Sequence, residues 1–265
     1  MCHNPACHQR GNLTSLVTRV SHRSRDDAKR YIVSRHSAVD YLKIIEQAKP
    51  NELPTFDQDI LDRLEAAFFG SPAHKYMNGR GFTDETLHHF HIGYSKLRDS
   101  VTVPVYAEDG APLGLVARSL HGKRFQNSTG LPKSRSAWNI SNAKRNSGSI
   151  IVVESSFDAM KIHQAGYPNV VALLGGSLSA EIRTQLERYS EVVIAMTDND
   201  PPGRALALSL YEKVQRRVRF AAVDSNIYPR GVKDATDLTE EEIRFVLLRS
   251  KSYVEYCEIM GVWQD

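Results

Sequence analysis

Five acids in the second half of the chain stand where alternating strands and helices would place their chemistry. Glu154 closes the apolar run "SIIVV", Asp198 and Asp200 close "VVIAMT", and Asp234 lies in "GVKDATDL". Asp158 follows Glu154 by four residues, about one helical turn, so it can face the same point. Clustered carboxylates repel one another. They stay ionised together only when cations neutralise them; otherwise their pKa values rise. Hard oxygen ligands with no neighbouring His or Cys suit Mg²⁺ or Mn²⁺. Such an ion keeps positions open for substrate phosphates, the arrangement used in two-metal phosphoryl transfer. Taken alone, Asp-Asn-Asp before two prolines is also a common turn and helix-cap composition, and Glu154 followed by two serines reads equally as ordinary surface. The order strand–Glu, strand–Asp-x-Asp, acidic loop is what points to a metal.

The elements that must position these acids follow from the pattern. "SIIVV", "NVVALLG", "EVVIAMT" and "VRFAAV" are short apolar strands. Between them, "SSFDAMKIHQAG", "SAEIRTQLERY" and "GRALALSLYEKVQRR" have helical spacing, with Ser155 or Ser156 and Ser179 as caps and Gly166 as a stop. Unbroken apolar strands alternating with helices predict a mostly parallel four-stranded sheet covered on both faces. In such sheets the functional edge lies at the carboxyl ends of the strands, where all five acids fall. Pro201, Pro202 and Gly203 would stiffen the loop and begin the next helix, whose N-terminus can face an anion.

The first half reads differently. "AKPNELPTF" is a linker broken by Pro50 and Pro54. Residues 57–69 and 83–90 read as helices, the second capped by Thr83. Residues 101–107 and 113–120 flank "EDG" as a β-hairpin. Between Gly110 and Ser147 there is no acid, but there are seven bases: Arg118, Lys123, Arg124, Lys133, Arg135, Lys144 and Arg145. From Gly148 onward acids outnumber bases, 17 to 13. A basic half beside an acidic half suits a polyanion on one and divalent cations on the other, though a basic run can also be a plain solvated face. Phe125 and Trp138, interleaved with the bases, could stack nucleobases or pack in the core.

These segments together resemble a known family. "IIVVESSFDAMKIHQAGYPNVVALLGGSLS", "VVIAMTDNDPPGRALA" and "KDATDL" resemble a Toprim domain, found in bacterial primases, topoisomerases and some nucleases. "YMNGRGFTDETLHHFHIGYS", "VPVYAEDGAPLGLVARSL" and "KRFQNSTGLPKSRSAWNISNAK" resemble the preceding parts of the polymerase core of DnaG-like primases, bacterial and phage. The resemblance covers about residues 70–240. It implies an α/β fold: a Rossmann-like Toprim sheet, mostly parallel and four-stranded with flanking helices, plus an α+β N-terminal subdomain. It implies Glu154, Asp198 and Asp200 as the catalytic metal-binding acids, with Asp158 and Asp234 as supporting ligands. Arg80, Arg118, Lys133 and Asn139 match positions that handle template or nucleotide phosphates, and Lys123, Arg124 and Arg135 belong to the same basic segment. One departure is that Thr236 stands where the family often has a second acid or an Asn, with Asp237 one step later. The implied activity is DNA-templated synthesis of short RNA primers, with single-stranded DNA, ribonucleoside triphosphates and Mg²⁺ or Mn²⁺ as partners.

The chain opens with "MCHNPACHQRGNLTSLV", similar to the back half of the family's zinc ribbon. A closed zinc site takes four ligands. Cys2 and Cys7 supply one pair, so residues 1–20 are expected to bind zinc weakly or not at all unless another polypeptide supplies the other half. The expected organisation is a zinc-ribbon remnant (1–24), a helical and linker region (25–69), a basic subdomain (70–147), the Toprim domain (148–240) and a C-terminal helical segment (241–265). Three cysteines make no disulfide framework. No apolar run approaches the roughly 18–20 residues of a membrane span, and the start is unlike a signal peptide, which places the chain in a bacterial or phage-infected cytoplasm. With no P-loop in the sequence, any helicase partner would be separate. Compactness leans towards a virus. A Toprim nuclease and a non-catalytic nucleic-acid-binding remnant are the competing functions.

Overall fold

The computed structural model describes residues 17–18, 20, 24–28, 53–145, 148–175, 177–222 and 231–261. The chain divides into two units, Met1–Glu52 and Leu53–Asp265. Cys2 and Cys7 lie outside the described residues, and so does the zinc expectation built on them.

The second unit begins with three helices: α1 (Gln58–Ala66), α2 (Pro72–Gly79) and α3 (Asp84–His89). Each starts at a side-chain cap. Asp57, Ser71 and Thr83 accept hydrogen bonds from the backbone N–H groups of Asp59, His74 and Thr86, which satisfies donors the helix cannot pair. Helix α2 was not expected from the sequence, although Ser71 followed by Pro72 is a helix-start signal.

An antiparallel sheet follows, in the order β1 (Gly93–Ser95), β2 (Ser100–Tyr106), β3 (Pro112–Ser119) and β4 (Phe125–Asn127). The β2–β3 pair is the expected hairpin, with Gly110 at φ +94° in its turn. One face of β2 buries Val101, Val103 and Val105; Leu115 and Ala117 of β3 pack against Leu61 of α1. Next comes a single turn, α4 (Ile140–Ala143).

The parallel sheet is built from β5 (Ser149–Val153), α5 (Ser156–Gln164), β6 (Val170–Ala172), α6 (Ala180–Tyr189), β7 (Val192–Ala195), α7 (Pro201–Lys213) and β8 (Arg217–Phe220). Its order is β6-β5-β7-β8, all parallel. A 3₁₀ turn (Ala235–Asp237) and two helices, α8 (Glu240–Leu248) and α9 (Tyr253–Met260), complete the unit. Alternation along β5 divides the interior. Ile151 and Val153 face the core shared with the antiparallel sheet and α5, whereas Ile150 and Val152 face the core under α6, α7 and α9. Fully burying one such side chain contributes about 1.5–3 kcal/mol, so the two-sided apolar strand is what fixes this sheet at the centre.

The two sheets are joined through Trp138. It forms an isolated antiparallel bridge with Ala172 at the end of β6, and its indole N–H donates to the Pro104 carbonyl of β2 at 2.9 Å. Trp138 is buried and is therefore core. Both sheets lie within the one unit Leu53–Asp265, consistent with an architecture of a parallel four-stranded sheet plus an antiparallel N-terminal sheet. Among the described residues no helix is long and apolar enough to cross a membrane.

Candidate metal centre and nucleic-acid interface

The chain order places β5 and β7 side by side at the centre of the parallel sheet, with consecutive crossovers leaving in opposite directions along the sheet order. This is the switch point at which open α/β sheets leave a crevice at their carboxyl ends. Glu154 leaves β5 and Asp198 leaves the β7 segment. Their loops are tied directly, for the Asp198 backbone N–H donates to Glu154 Oε1 at 3.0 Å. Gly203, in the first turn of α7, closes over this contact. A side chain there would meet the Asp198 carbonyl oxygen at 2.1 Å and Glu154 Oε1 at 2.8 Å, so this glycine is required by close approach.

Asp200 has two roles open to it. It is the N-cap of α7, accepting from Gly203 N–H at 3.0 Å, and that bond holds its carboxyl below the usual range. The cap reading and the metal reading of Asp-x-Asp are thus compatible in one residue. Asp158 sits in the first turn of α5, capped by Ser155. The Ser155 hydroxyl donates to Asp158 Oδ2 at 2.5 Å, while Oδ1 is buried without a partner. Burial, then the charge of Asp234, pushes the Asp158 carboxyl up to about 7. Burial followed by repulsion from Asp198 raises Glu154, and burial followed by repulsion from Asp234 raises Asp198.

These features fit a bound divalent cation. Burying an unpaired carboxylate costs several kcal/mol, and one hydroxyl hydrogen bond returns about 1 kcal/mol. The remainder calls for a proton or a cation. Among the described residues no three acidic, His or Cys side chains already converge as ready ligands. The acids are gathered at one edge, yet an ammonium stands among them. Lys233 Nζ lies 3.3 Å from Asp198 Oδ2 and 3.2 Å from Asp200 Oδ2. The hydrogen bond to Asp200 is the main reason its pKa rises to about 12. Lys233 escaped the sequence reading; its only signal was a lone base next to Asp234.

Asp234 caps the 3₁₀ turn and accepts from Thr236 N–H at 3.0 Å and from its hydroxyl at 2.6 Å. Asp237 does not turn towards the metal edge. Its carboxylate folds back to accept from the Lys233 N–H at 2.9 Å, and from the Asp234 N–H at 3.5 Å as part of a capping box. At the position where an acid or Asn was expected, Thr236 instead accepts from Arg80 Nη2 at 3.2 Å. Arg80 thereby reaches the acidic loop from the N-terminal subdomain. Its turn is docked on α5, with Lys161 and Gln164 both donating to the Gly81 carbonyl, at 2.9 and 3.0 Å.

Arg80 and Arg118 flank the ring of Phe157, with guanidinium carbons 5.7 and 5.5 Å from its centroid. Arg80 also lies 5.9 Å from the Tyr76 ring centroid, and Arg118 4.7 Å from that of Phe125. Arg118 Nε also donates to the Tyr76 hydroxyl at 2.8 Å. Phe125 is 50% exposed, so of the two aromatics in the basic segment it is the one with a free face. Lys123 and Arg124 are exposed on the β3–β4 turn, and Arg135 is half-buried. The Lys133 ammonium lies 3.7 Å from where a side chain on Gly175 would begin, at the same carboxyl edge.

Asn139 stands at the start of α4. It is buried, in the left-handed region at φ +68°. Its amide donates to the Val170 carbonyl and accepts from Asn142, both at 2.9 Å, and so helps hold the turn. It does line a cleft of about 420 Å³ with His89, Tyr106 and Trp138, but none of the acids borders that cleft.

With this geometry in place, a Toprim domain model matches residues 148–223. The DNA primase of Clostridium acetobutylicum is 26% identical over 253 residues, covering 76% of this chain and 42% of that protein. Residues 148–223 are a Toprim domain, and the chain is similar to the catalytic core of DnaG-type primases. The Aquifex aeolicus primase (zinc-binding and RNA polymerase domains) superposes with a TM-score of 0.63 at 19% identity, covering 93% of this chain and 72% of that one. A DnaG primase catalytic domain bound to ssDNA gives 0.63 at 18% identity, covering 78% and 82%. The chain spans about half or less of the length of the curated primases it matches. Those relatives are bacterial, which lends no support to the viral setting that compactness suggested. A Toprim domain in general implies divalent-metal binding, in keeping with the acids gathered here.

Proposed function

We propose that this chain is the polymerising core of a primase, joining ribonucleotides on a single-stranded DNA template in the cytoplasm of a bacterial or phage-infected cell. The observation that carries the reading is the meeting of Glu154, Asp198, Asp200, Asp158 and Asp234 at one sheet edge, with Arg80 reaching the same loop from the basic subdomain. Glu154, Asp198 and Asp200 would hold Mg²⁺ or Mn²⁺, supported by Asp158 and Asp234. The metal, when bound, supplies Lewis-acid activation of a 3′-hydroxyl and charge neutralisation on the triphosphate. The chain's own groups do the positioning. Arg80 and Arg118 present guanidiniums to phosphate oxygens, in the bidentate geometry arginine favours. Lys123, Arg124, Lys133 and Arg135 hold the template backbone with salt-sensitive affinity. Phe125 offers its free face to a base. A separate helicase, and a separate polypeptide completing the zinc ribbon, are the further partners of this reading. The domain limits at 24/25, 69/70, 147/148 and 240/241 belong to it too.

The test is incubation of purified protein with single-stranded template, ribonucleotides and Mg²⁺ or Mn²⁺. Short labelled products are expected, and Asp198→Ala should abolish them while leaving the circular dichroism spectrum unchanged. A preformed primer isolates elongation from initiation. Template cleavage without synthesis would replace this reading with a Toprim nuclease. Binding without either reaction, even on the preformed primer, would make the chain a non-catalytic remnant.

A further inference from the structure

Lys233 stands where the acids would need a cation. Its ammonium bridges Asp198 Oδ2 at 3.3 Å and Asp200 Oδ2 at 3.2 Å. Among the described residues it is the one basic side chain in ion-pair contact with the five acids. Its backbone is pinned on both sides: the Lys233 carbonyl accepts from Asn199 N–H at 2.7 Å, and its N–H donates to Asp237 at 2.9 Å. Its side chain is 54% exposed, whereas those of Asp198 and Asp200 are 18% and 28% exposed. The arrangement is a pinned backbone with a solvent-facing charged arm laid across two partly buried carboxylates.

An ammonium at these distances and a divalent ion are mutually exclusive. A metal of this class binds carboxylate oxygen at about 2.0–2.1 Å, and a second cation against the same oxygens would be strongly repelled. We propose that Lys233 is a resident counter-ion. It holds Asp198 and Asp200 together in the metal-free protein and must swing off their Oδ2 atoms when a divalent cation binds, so it sets the concentration at which the site fills. The inference rests on the reading of Asp198 and Asp200 as metal ligands. Because the ammonium is largely solvated, its displacement is cheap, and the expected competition is correspondingly modest.

The experiment is a Mn²⁺ titration followed by electron paramagnetic resonance, on the full chain and on the variants Lys233→Met and Asp198→Asn. Lys233→Met should bind Mn²⁺ about three- to tenfold more tightly than wild type, and Asp198→Asn should lose most binding. Unchanged or weaker binding by a folded Lys233→Met, with Asp198→Asn still defective, overturns the counter-ion role. Equal binding by wild type and Asp198→Asn overturns the reading of the acids, and this inference with it. A second measurement needs no variant. Amine-reactive labelling of wild-type Lys233, read by mass spectrometry, should rise severalfold when Mg²⁺ is added, and labelling that stays level overturns the proposal.

Discussion

Asp158 and His163 lie on the same helix and pull the protein's pH response in opposite directions. Asp158 is pushed up to about 7 from 3.8, chiefly by burial. Between those values the folded, metal-free chain keeps a proton that the unfolded chain has released, so this residue's contribution to stability falls as pH rises. His163 is pushed down to about 4 from 6.5 by burial and by His89, stacked at 4.4 Å. There the unfolded chain holds the extra proton, and stability rises with pH from 4 towards 6.5. Each slope is at most about 1.4 kcal/mol per pH unit, and less for the half-buried His163. Without metal the two offset one another. Urea denaturation at pH 4.5, 5.5 and 6.5 should therefore show stability rising more steeply with pH in Asp158→Asn, and falling with pH in His163→Phe. Parallel profiles in the two variants would contradict this. The acids were legible in the sequence because a charge at the end of an apolar strand is conspicuous. Lys233 was not, because nothing in one dimension says which acid a lone lysine will meet. Nor was the structural part played by Asn139, whose left-handed backbone conformation leaves no mark in composition.

Among the elements, α5 carries the most consequence. Its cap holds Asp158, and two guanidiniums lie over the ring of its second residue, Phe157. Phe157→Leu keeps the apolar volume near that of the ring but removes the π face. Nucleotide KM should rise about three- to tenfold with little change in kcat, and Phe157→Tyr should restore it. A kcat loss with KM unchanged would assign Phe157 to packing alone. At the start of α7, Gly203→Ala forces a methyl into the Asp198 carbonyl. A loss of about 1–3 kcal/mol is expected by urea denaturation, as for other overpacked sites, together with weaker Mn²⁺ binding. Most helices could be read from their caps, since Thr83, Ser155 and Ser179 each precede a periodic apolar run. Strand β4 and the single turn α4 could not. They are short, β4 is exposed along its whole length, and neither has enough period to register.

For the molecule as a whole, Arg118, Lys123 and Arg124 belong to the antiparallel sheet and its β3–β4 turn, whereas the five acids follow the strands of the parallel sheet. Replacing Lys123 and Arg124 by Ala should weaken single-stranded DNA binding about equally for all sequences. It should lower the slope of log K against log salt by about 1–2, measurable by fluorescence anisotropy between 50 and 200 mM salt; an unchanged slope would remove both residues from the interface. The fold class was readable because strand–helix alternation with uninterrupted apolar strands admits few architectures. The joining of the two sheets was not, since it depends on one indole reaching across from Trp138 to Pro104.

That joining bears on how the protein keeps to itself. Open strand edges invite other chains to add on. Here Trp138 bridges to the outer side of β6, Lys251 bridges to Phe220 on β8, and α1 lies against β1 at Gly93. Among the described residues β4 is the one edge strand with neither a bridge nor a helix recorded against it, and it is three residues long. Resistance to aggregation in this molecule is thus a matter of one short edge, where any engineering for solubility should begin.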